Sequence, residues 1–497
     1  MSTPKRSAPF EGRALAEVVN ELTAEVRELY LADEVPWVIG YSGGKDSTAV
    51  LQLVWLALQG LPAEQRTKSV HVISTDTLVE NPVVAAWVTQ SLETMGRAAE
   101  EQQLPIEPHR LTPQVKDTFW VNLIGRGYPA PRPKFRWCTE RLKIKPSNAF
   151  IRRVVRRHGE AILVLGIRKA ESQARARAMA KHEKRRVRDR LSPNGNLPNS
   201  LVYSPIEEWS NDEVWMFLMQ YSNPWGHRNK DLLTMYQGAS EDSECPLVVD
   251  DTTPSCGDSR FGCWTCTLVD QDKSMTAMIR NDEEKEWMRP LLELRNELDN
   301  KDAEKETRDF RRMNGAVQLF HDNVIQGPYT QEARQKWLKR LLEAQTEVRE
   351  SAPEHVRGIE LITVAELHEI RRIWVFEKHE VEDTLPAIYE EATGEPFPGR
   401  PVDEQLVLAG EEVDLLREVC DGDDIHFAMT RELLAVERQH RTMTRRSGLF
   451  QELERAIKKG FYENEEDALE FAKRKQEMRE KAPTYVTLDE ETTDAPA

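Results

Sequence analysis

The chain has 497 residues and a net charge of −17, with 39% hydrophobic and 31% charged residues. A chain of this length is longer than a single compact domain usually is, so we expect two domains. No apolar run approaches the roughly 20 residues that a membrane span needs, and the N-terminus lacks the apolar core of a signal peptide. We therefore expect a cytoplasmic protein without a membrane partner. Six cysteines in a chain of this length do not predict a disulfide framework.

The hydrophobic pattern predicts an N-terminal helix followed by an α/β domain. Apolar positions recur at helical spacing between residues 10 and 32, so residues 1–34 are assigned to this helix. Strands are predicted at 35–41, 69–75 and 161–167. Helical stretches separate them, which indicates a parallel sheet with helices on both faces and ligands at the carboxyl ends of the strands. This domain is predicted to span residues 35–270.

The first strand runs into a glycine-containing loop that is followed by an apolar helix. The loop residues are Ser42, Gly43, Gly44, Lys45, Asp46 and Ser47. Two glycines let backbone N–H groups turn toward an anion, and the helix that follows directs its positive end at the same point. An ordinary strand-to-helix turn is the alternative interpretation. The spacing differs from that of the nucleotide loop ending in Gly-Lys-Ser/Thr.

This loop resembles the PP-loop of the ATP pyrophosphatases, which cleave ATP between the α and β phosphates and adenylate a substrate. The resemblance implies that the loop binds the pyrophosphate part of ATP. It further implies that Lys45 neutralises phosphate charge and that Asp46 orients the loop or helps to place Mg²⁺. An adenine nucleotide alpha hydrolase-like fold is the expected architecture.

The other two predicted strands also end in polar residues. Asp76 follows the second strand, where the related family places an acidic residue near nucleotide or metal; a helix cap or turn is the alternative role. The third strand continues through Gly166 and Arg168 to Ser172 and Arg175. This segment resembles the Gly-x-Arg…Ser…Arg segment of the phosphoadenylyl-sulfate reductase family. The resemblance implies that the glycine admits the nucleotide, that both arginines bind phosphate and that the serine adds a hydroxyl.

From these resemblances, the predicted catalytic residues are Lys45, Asp46 and Arg168. The same three residues are also predicted to bind ATP, together with Ser42, Gly43, Gly44, Ser47, Asp76, Gly166, Ser172 and Arg175.

Four of the six cysteines are concentrated between residues 245 and 266. The two-residue gap between Cys263 and Cys266 can bring two sulfurs to one metal. The segment around Cys138 resembles an element that, in assimilatory adenylyl-sulfate reductases, joins a later Cys-x-x-Cys to hold a [4Fe–4S] cluster. Those enzymes have two adjacent cysteines there and this chain has one, which leaves one ligand to be supplied from elsewhere.

The resemblance thus implies a [4Fe–4S] cluster held by Cys138, Cys256, Cys263 and Cys266. Cys245 is an alternative ligand or a sulfur carrier. Zinc is the rival occupant, since four thiolates suit it as well.

A basic block lies within this acidic chain. Residues 126–190 contain 21 Lys and Arg against 5 Asp and Glu, so a local charge of +16 leaves −33 on the rest. Such a block can bind a polyanion, while the alternative is a set of solvated helix faces and nucleotide contacts. The predicted DNA contacts are Lys181, Lys184, Arg185, Arg186, Arg188 and Arg190.

Beyond residue 270 the glycines become rarer and helical patterns dominate. We predict a mostly helical domain over 275–483 and a disordered acidic tail over 484–497. Ser210 and Glu213 have the spacing of a capping box at a helix start.

The longer strings at 128–141 and 255–267, together with the helical C-terminal half, resemble the DndC family of DNA phosphorothioation sulfurtransferases. This resemblance implies replacement of a non-bridging oxygen of the DNA backbone by sulfur. It also implies a cysteine desulfurase as sulfur donor and other DNA phosphorothioation proteins as partners. A PP-loop tRNA thiolase and a phosphoadenylyl-sulfate reductase-like enzyme are the alternatives.

Overall fold

The computed structural model describes residues 12–188, 190–195, 197–239, 262–300, 304–321, 323–380, 382–399, 410–441 and 446–481. The chain divides into two compact units. The first unit comprises Met1–Asn122, Ala130–Asn300 and Lys339–Leu367; the second comprises Leu123–Pro129, Lys301–Leu338 and His368–Ala497. The main division therefore falls at Asn300, whereas the sequence pattern indicated a boundary at 270–275. The predicted disordered tail lies outside the described residues.

The first unit contains a six-stranded sheet in the order β3-β2-β1-β4-β6-β5. Its strands are β1 Trp37–Gly40, β2 Val70–Thr75, β3 Ile106–Leu111, β4 Ala161–Val164, β5 Ser192–Pro193 and β6 Ser200–Tyr203. All neighbouring strands are parallel except β5, which pairs with β6 in the antiparallel direction. The predicted α/β class with a mostly parallel sheet is confirmed, although the sequence pattern did not indicate β3, β5 or β6.

Helices cover both faces of this sheet because successive strand side chains point to opposite faces. Ile39 and Val72 pack into a core with the first three helices, whereas Val38 and Ile73 pack against Phe150 on the fourth. The helices are α1 Leu15–Leu31, α2 Lys45–Gln59, α3 Pro82–Glu101, α4 Lys145–His158, α5 Gln173–Glu183, α6 Asn211–Gln220, α7 Asn229–Gly238, α8 Lys273–Asn281 and α9 Arg289–Leu298.

Local signals fix where these helices begin. The Asn81 side chain accepts a hydrogen bond from Val83 N at 3.0 Å, and Pro82 is the first residue of α3. The predicted capping box is confirmed: Glu213 N donates to Ser210 Oγ at 3.2 Å, and Ser210 N donates to Glu213 Oε2.

The C-terminal part of the chain is mainly helical, as predicted. Its elements are α10 Glu304–Thr307, β7 Leu319–Phe320, β8 Asn323–Val324, α11 Gln331–Ser351, α12 Val364–Arg372, α13 Leu385–Thr393, α14 Gly410–Val419, α15 Asp424–Arg441, α16 Leu449–Lys459 and α17 Glu465–Lys481. Among the helices that the structure describes, none has both the length and the hydropathy to cross a membrane.

Candidate active site

The predicted phosphate loop lies between the end of β1 and the first turn of α2. Gly43 adopts a φ of +74°, and a Cβ there would come within 2.5 Å of Val88 Cγ2, so only glycine fits. Inside the loop, the hydroxyls of Ser42 and Ser47 are 3.1 Å apart, and Ser47 Oγ donates to Gly44 O at 3.0 Å. These bonds hold the loop in one conformation at the N-terminus of a 15-residue helix, where an anion is favoured.

Gly166 lets the end of β4 approach this loop. A Cβ on Gly166 would lie 2.8 Å from Asp46 O and 3.1 Å from Ser47 N. The resemblance implied that the glycine makes room for nucleotide. The structure adds a different reason for it: the backbone that comes closest to Gly166 is that of the loop itself. The glycine therefore fixes the position of the loop relative to the sheet.

Two of the three predicted catalytic residues form an ion pair beneath the loop. Arg168 Nε donates to Asp46 Oδ1 at 2.7 Å, and Arg168 Nη1 donates to Trp209 O at 3.2 Å. Arg168 is only 3% exposed, so its guanidinium is held in a fixed place. Lys45 Nζ lies 3.5 Å from Asp46 Oδ2 and 5.5 Å from the centre of the Tyr236 ring. Asp46 thus holds the two cations at the loop.

A cleft with a volume of about 1230 Å³ opens over this loop. It is lined by residues of the loop, by the ends of β2 and β4, and by side chains that include Asp76, Arg110, Arg168 and Ser172. Asp76 lies directly after β2, where it pairs with Arg110 and accepts a hydrogen bond from Leu78 N at 2.8 Å. Asp76 therefore both shapes a turn and faces the cleft. The side chain of Arg175 lies outside what the structure describes.

Three of the predicted cluster ligands, Cys138, Cys263 and Cys266, lie in one region beside this cleft, with sulfur atoms that are not all within 4.8 Å of one another; we call them the cysteine group. Cys138 precedes a π-helical turn, Thr139–Ile144. Cys263 and Cys266 lie on one tight turn, in which Cys266 N donates to Cys263 O at 3.0 Å. The charge of Cys266 acts on both other thiols and contributes to their raised pKa values, which places all three within electrostatic reach.

Glu80 and Lys143 connect the cysteine group to the cleft, which both residues line. Glu80 forms a β-bridge with Cys263, and the two side chains lie 3.8 Å apart. Lys143 Nζ is 3.4 Å from Glu80 Oε1. The sequence analysis assigned neither residue a role: Lys143 lies in the segment that resembles the cluster-binding element, and Glu80 belongs to no motif, so its proximity to Cys263 depends on the fold.

Burial and charge set the protonation of this region. Burial raises the pKa of Cys263 to about 12, with the Glu80 charge adding to the rise. Burial also raises the pKa of Cys138. Burial alone would lower the pKa of Lys143, but Cys263, when its thiol is ionised, and the Glu80 carboxylate raise it above its usual value. Converging thiols beside a cation fit a site for a thiolate-binding metal or cluster, since such an occupant stabilises the deprotonated sulfurs. Cys245 and Cys256 lie outside the described residues.

The predicted DNA contacts fall into two sets. Lys181, Lys184 and Arg185 are exposed and form no ion pair with a described residue. The other three are paired: Arg186 with Glu207 at 3.0 Å, Arg188 with Glu160 at 2.7 Å and Asp33 at 3.0 Å, and Arg190 with Glu28 at 3.1 Å. In the folded chain, carboxylates therefore compete with DNA phosphates for Arg186, Arg188 and Arg190, whereas the six DNA contacts stay a prediction.

Comparisons with known proteins agree with this domain. Residues 36–268 match the family model described as the phosphoadenosine phosphosulfate reductase domain, slightly under half of the chain. Together with the fold and the loop, this match supports the PP-loop superfamily for this region. An uncharacterised curated protein of Methanocaldococcus jannaschii is 27% identical over 201 residues. That alignment covers 40% of this chain and 35% of the relative, so the chain spans about a third of its relative's length.

Two solved structures have low overall similarity to this chain. The U34-tRNA thiolase NcsA of Methanococcus maripaludis with its [4Fe-4S] cluster has a TM-score of 0.28 and 14% identity, over 58% of this chain and 82% of that one. The FMN adenylyltransferase of Candida glabrata, in complex with FAD and inorganic pyrophosphate, has a TM-score of 0.26 and 12% identity, over 51% and 73%.

Proposed function

We propose that this protein is an ATP pyrophosphatase and sulfurtransferase that introduces sulfur into the DNA backbone. The observation that carries the proposal is that one cleft is lined by the phosphate loop and by Glu80 and Lys143, which contact or act on Cys263. This arrangement supports nucleotide and thiol chemistry in neighbouring parts of one cleft. The resemblance to DNA phosphorothioation sulfurtransferases supplies the substrate.

ATP would bind with its β and γ phosphates at the N-terminus of α2. The backbone N–H groups there and Lys45 favour the pyrophosphate that leaves. The Arg168 guanidinium holds Asp46, and Asp46 in turn positions Lys45, so Arg168 acts on the phosphates through the loop. Mg²⁺ would take carboxylate oxygens of Asp46 or Asp76 together with phosphate oxygens.

The reaction would run in two displacements. A non-bridging oxygen of the DNA phosphodiester attacks the α phosphorus of ATP, which forms a DNA–AMP phosphoanhydride and releases pyrophosphate. A hydrosulfide equivalent then attacks the DNA phosphorus, and AMP leaves with the original oxygen. The second step forms one P–S bond, breaks one P–O bond and releases one proton, so no net oxidation occurs. A sulfur delivered as a persulfide needs a second thiol to cleave its S–S bond.

The cysteine group would hold a [4Fe–4S] cluster, with Cys256 as the fourth ligand and Cys245 as the alternative. When bound, such a cluster would present sulfide or thiolate-bound sulfur beside the activated phosphate. Lys143, whose pKa is raised by the neighbouring anions, would remain protonated and offset the negative charge of thiolates and phosphates. Zn²⁺ is the competing occupant, and the content of iron and acid-labile sulfide distinguishes the two.

DNA would be held beside the cleft by the exposed cations Lys181, Lys184 and Arg185, through release of counterions from the phosphates. The rest of the chain is acidic and repels DNA, so other DNA phosphorothioation proteins would supply part of the affinity for DNA. A cysteine desulfurase would supply sulfur.

The test is reconstitution of the anaerobically purified protein with a cysteine desulfurase, cysteine, the other phosphorothioation proteins, ATP and either duplex DNA or tRNA. We expect AMP and pyrophosphate as products and phosphorothioate linkages in the digested DNA. Formation of ADP would contradict the nucleotide assignment. Thiolated bases in tRNA with unmodified DNA would replace this proposal by the tRNA thiolase. Release of sulfite from phosphoadenylyl sulfate would replace it by the reductase.

A further inference from the structure

Two imidazoles and a carboxylate converge on the edge of the sheet, away from the cleft. His71 on β2 lies opposite Glu107 on β3 in the parallel register, and His109 lies two residues further along β3 on the same face. His71 Nδ1 is 3.1 Å from His109 Nε2 and 3.2 Å from Glu107 Oε2. His109 Nε2 is 3.7 Å from the same carboxylate oxygen. All three ligand atoms thus face one point.

We propose that His71, Glu107 and His109 form a binding site for one divalent transition-metal ion, with Zn²⁺ as the best fit. Tetrahedral zinc with ligands at about 2.0–2.1 Å requires ligand atoms about 3.3–3.4 Å apart. The three distances in this site average about 3.3 Å, and the circle through the three atoms has a radius of about 1.9 Å. A position at zinc–ligand distance from all three atoms therefore exists without movement of the backbone.

A metal ion accounts for this arrangement more completely than hydrogen bonding does. Each neutral imidazole carries one proton. A single Nδ1–H of His71 can be shared between His109 Nε2 and Glu107 Oε2 as a bifurcated bond, which is weaker than two separate bonds. One cation at the centre of the triangle accepts a lone pair from all three atoms.

The surroundings are suited to a metal ligand set that is partly open to solvent. The His71 and His109 side chains are 13% and 31% exposed, and that of Glu107 is 53% exposed, so water can complete the coordination. Burial lowers the pKa of both histidines, which favours the neutral form that binds metal. Phe150 packs on both rings, while the cations Arg153 and Arg157 on α4 oppose a bound ion and limit its affinity.

None of His71, Glu107 and His109 lines the nucleotide cleft, although Ile73, two residues after His71 on β2, does. Asp76 follows His71 by five residues, about 16 Å along an extended strand. Because β3 is the edge strand, an ion bound here would fasten that edge to β2. The expected role is therefore structural.

The experiment uses the full-length protein, first treated with a chelator by dialysis and then titrated with Co²⁺ as a spectroscopic stand-in for Zn²⁺. We expect a visible Co²⁺ spectrum without thiolate charge transfer for this site, separate from any signal of the cysteine group. Zn²⁺ should displace that Co²⁺ and raise the melting temperature. His109→Gln should abolish the signal and the zinc-dependent rise in melting temperature.

Two further variants sharpen the test. Glu107→Gln should weaken the Co²⁺ affinity by more than about tenfold. Removing a group that only hydrogen-bonds a metal ligand already costs about tenfold, and Glu107 is proposed as a ligand itself. His158→Gln, which alters a nearby histidine outside the triangle, should keep the signal. The proposal is overturned if the wild-type protein gives no such signal, if His109→Gln retains it, or if His158→Gln loses it.

Discussion

Asp46 Oδ1 accepts a hydrogen bond from Arg168 Nε at 2.7 Å, and this pair joins the phosphate loop to the end of the central strand β4. Arg168 is buried, and Asp46 is partly exposed at the cleft. The fixed guanidinium of Arg168 therefore holds the Asp46 carboxylate in place at the surface of the cleft. This ion pair makes Arg168 a positioning residue for the loop, so we expect removal of its side chain to displace Asp46 and the loop.

Arg168→Ala should stop pyrophosphate release and lower the free energy of unfolding by about 2 kcal/mol. Breaking a buried ion pair costs about 3–5 kcal/mol, and the partial exposure of Asp46 reduces that figure. Pyrophosphate release and urea denaturation measure the two effects. Arg188→Ala, which breaks surface pairs, is the matched control and should change either quantity little. Full activity in Arg168→Ala would contradict the role given to the Asp46 pair.

Gly166→Ala should weaken ATP binding because its Cβ would lie 2.8 Å from Asp46 O and push the loop from its position. Overpacking of this kind costs about 1–3 kcal/mol. Gly238→Ala is the control, since its Cβ would meet no atom within 4 Å. Calorimetric titration with a non-hydrolysable ATP analogue gives the comparison; equal affinities for the two variants would show that the close approach is unimportant.

Cys138→Ser, Cys263→Ser and Cys266→Ser should each remove iron and acid-labile sulfide from anaerobically purified protein. The reason is that each supplies one thiolate of the proposed cluster. Cys420→Ser, which alters a thiol beside Val413 and Phe427 far along the chain, should retain both. Metal analysis and the visible spectrum provide the readout.

The same analysis identifies the fourth ligand. Cys256→Ser should lose iron while Cys245→Ser keeps it. The reverse outcome would make Cys245 the ligand, and a colourless wild-type protein with one equivalent of zinc would refute the cluster.

Neutralising Lys181, Lys184 and Arg185 together, each to Gln, should flatten the log–log dependence of DNA affinity on salt by about 2–3 units. Each phosphate contact contributes about 0.9 units. Neutralising Arg186, Arg188 and Arg190 is the matched control, since their charges are already paired within the protein. DNA binding measured over a salt series distinguishes the two sets. A larger effect of the control triple would place the DNA elsewhere on the block.

Lys378→Met should stabilise the protein more at about pH 6 than at about pH 10. Burial lowers the pKa of Lys378 to about 7 from its ordinary 10.5. Between these values the unfolded chain holds a proton that the folded chain has lost, so stability rises with pH through this window. Below pH 7 the folded protein carries the full cost of the buried charge. Chemical denaturation at both pH values measures the difference, and the exposed Lys473→Met should show none.

The sequence by itself determined the elements that depend on short-range patterns. Apolar runs of the right length predicted β1, β2 and β4, and the serine and glutamate three residues apart predicted the start of α6. The glycines and serines at 42–47 predicted a phosphate loop because its backbone conformation is set within six residues. β3 was missed because half of its six residues, Glu107, His109 and Arg110, are polar or charged, so it contains no apolar run. An edge strand permits such a composition because one side of it is not covered by another strand.

Only the tertiary structure decided which side chains meet. Asp46 and Arg168 are 122 residues apart and Glu80 and Cys263 are 183 apart, and no local pattern pairs them. The register of β2 and β3 brings His71, Glu107 and His109 to one point, and a shift of one residue would turn these side chains to the opposite face. The pairing of charges also depends on the tertiary structure. In the sequence Arg186, Arg188 and Arg190 belong to a basic block, but in the folded chain each forms an ion pair with a carboxylate from another segment. Ion pairs and ligand sets depend on distances of a few ångströms, and only the folded chain sets those distances.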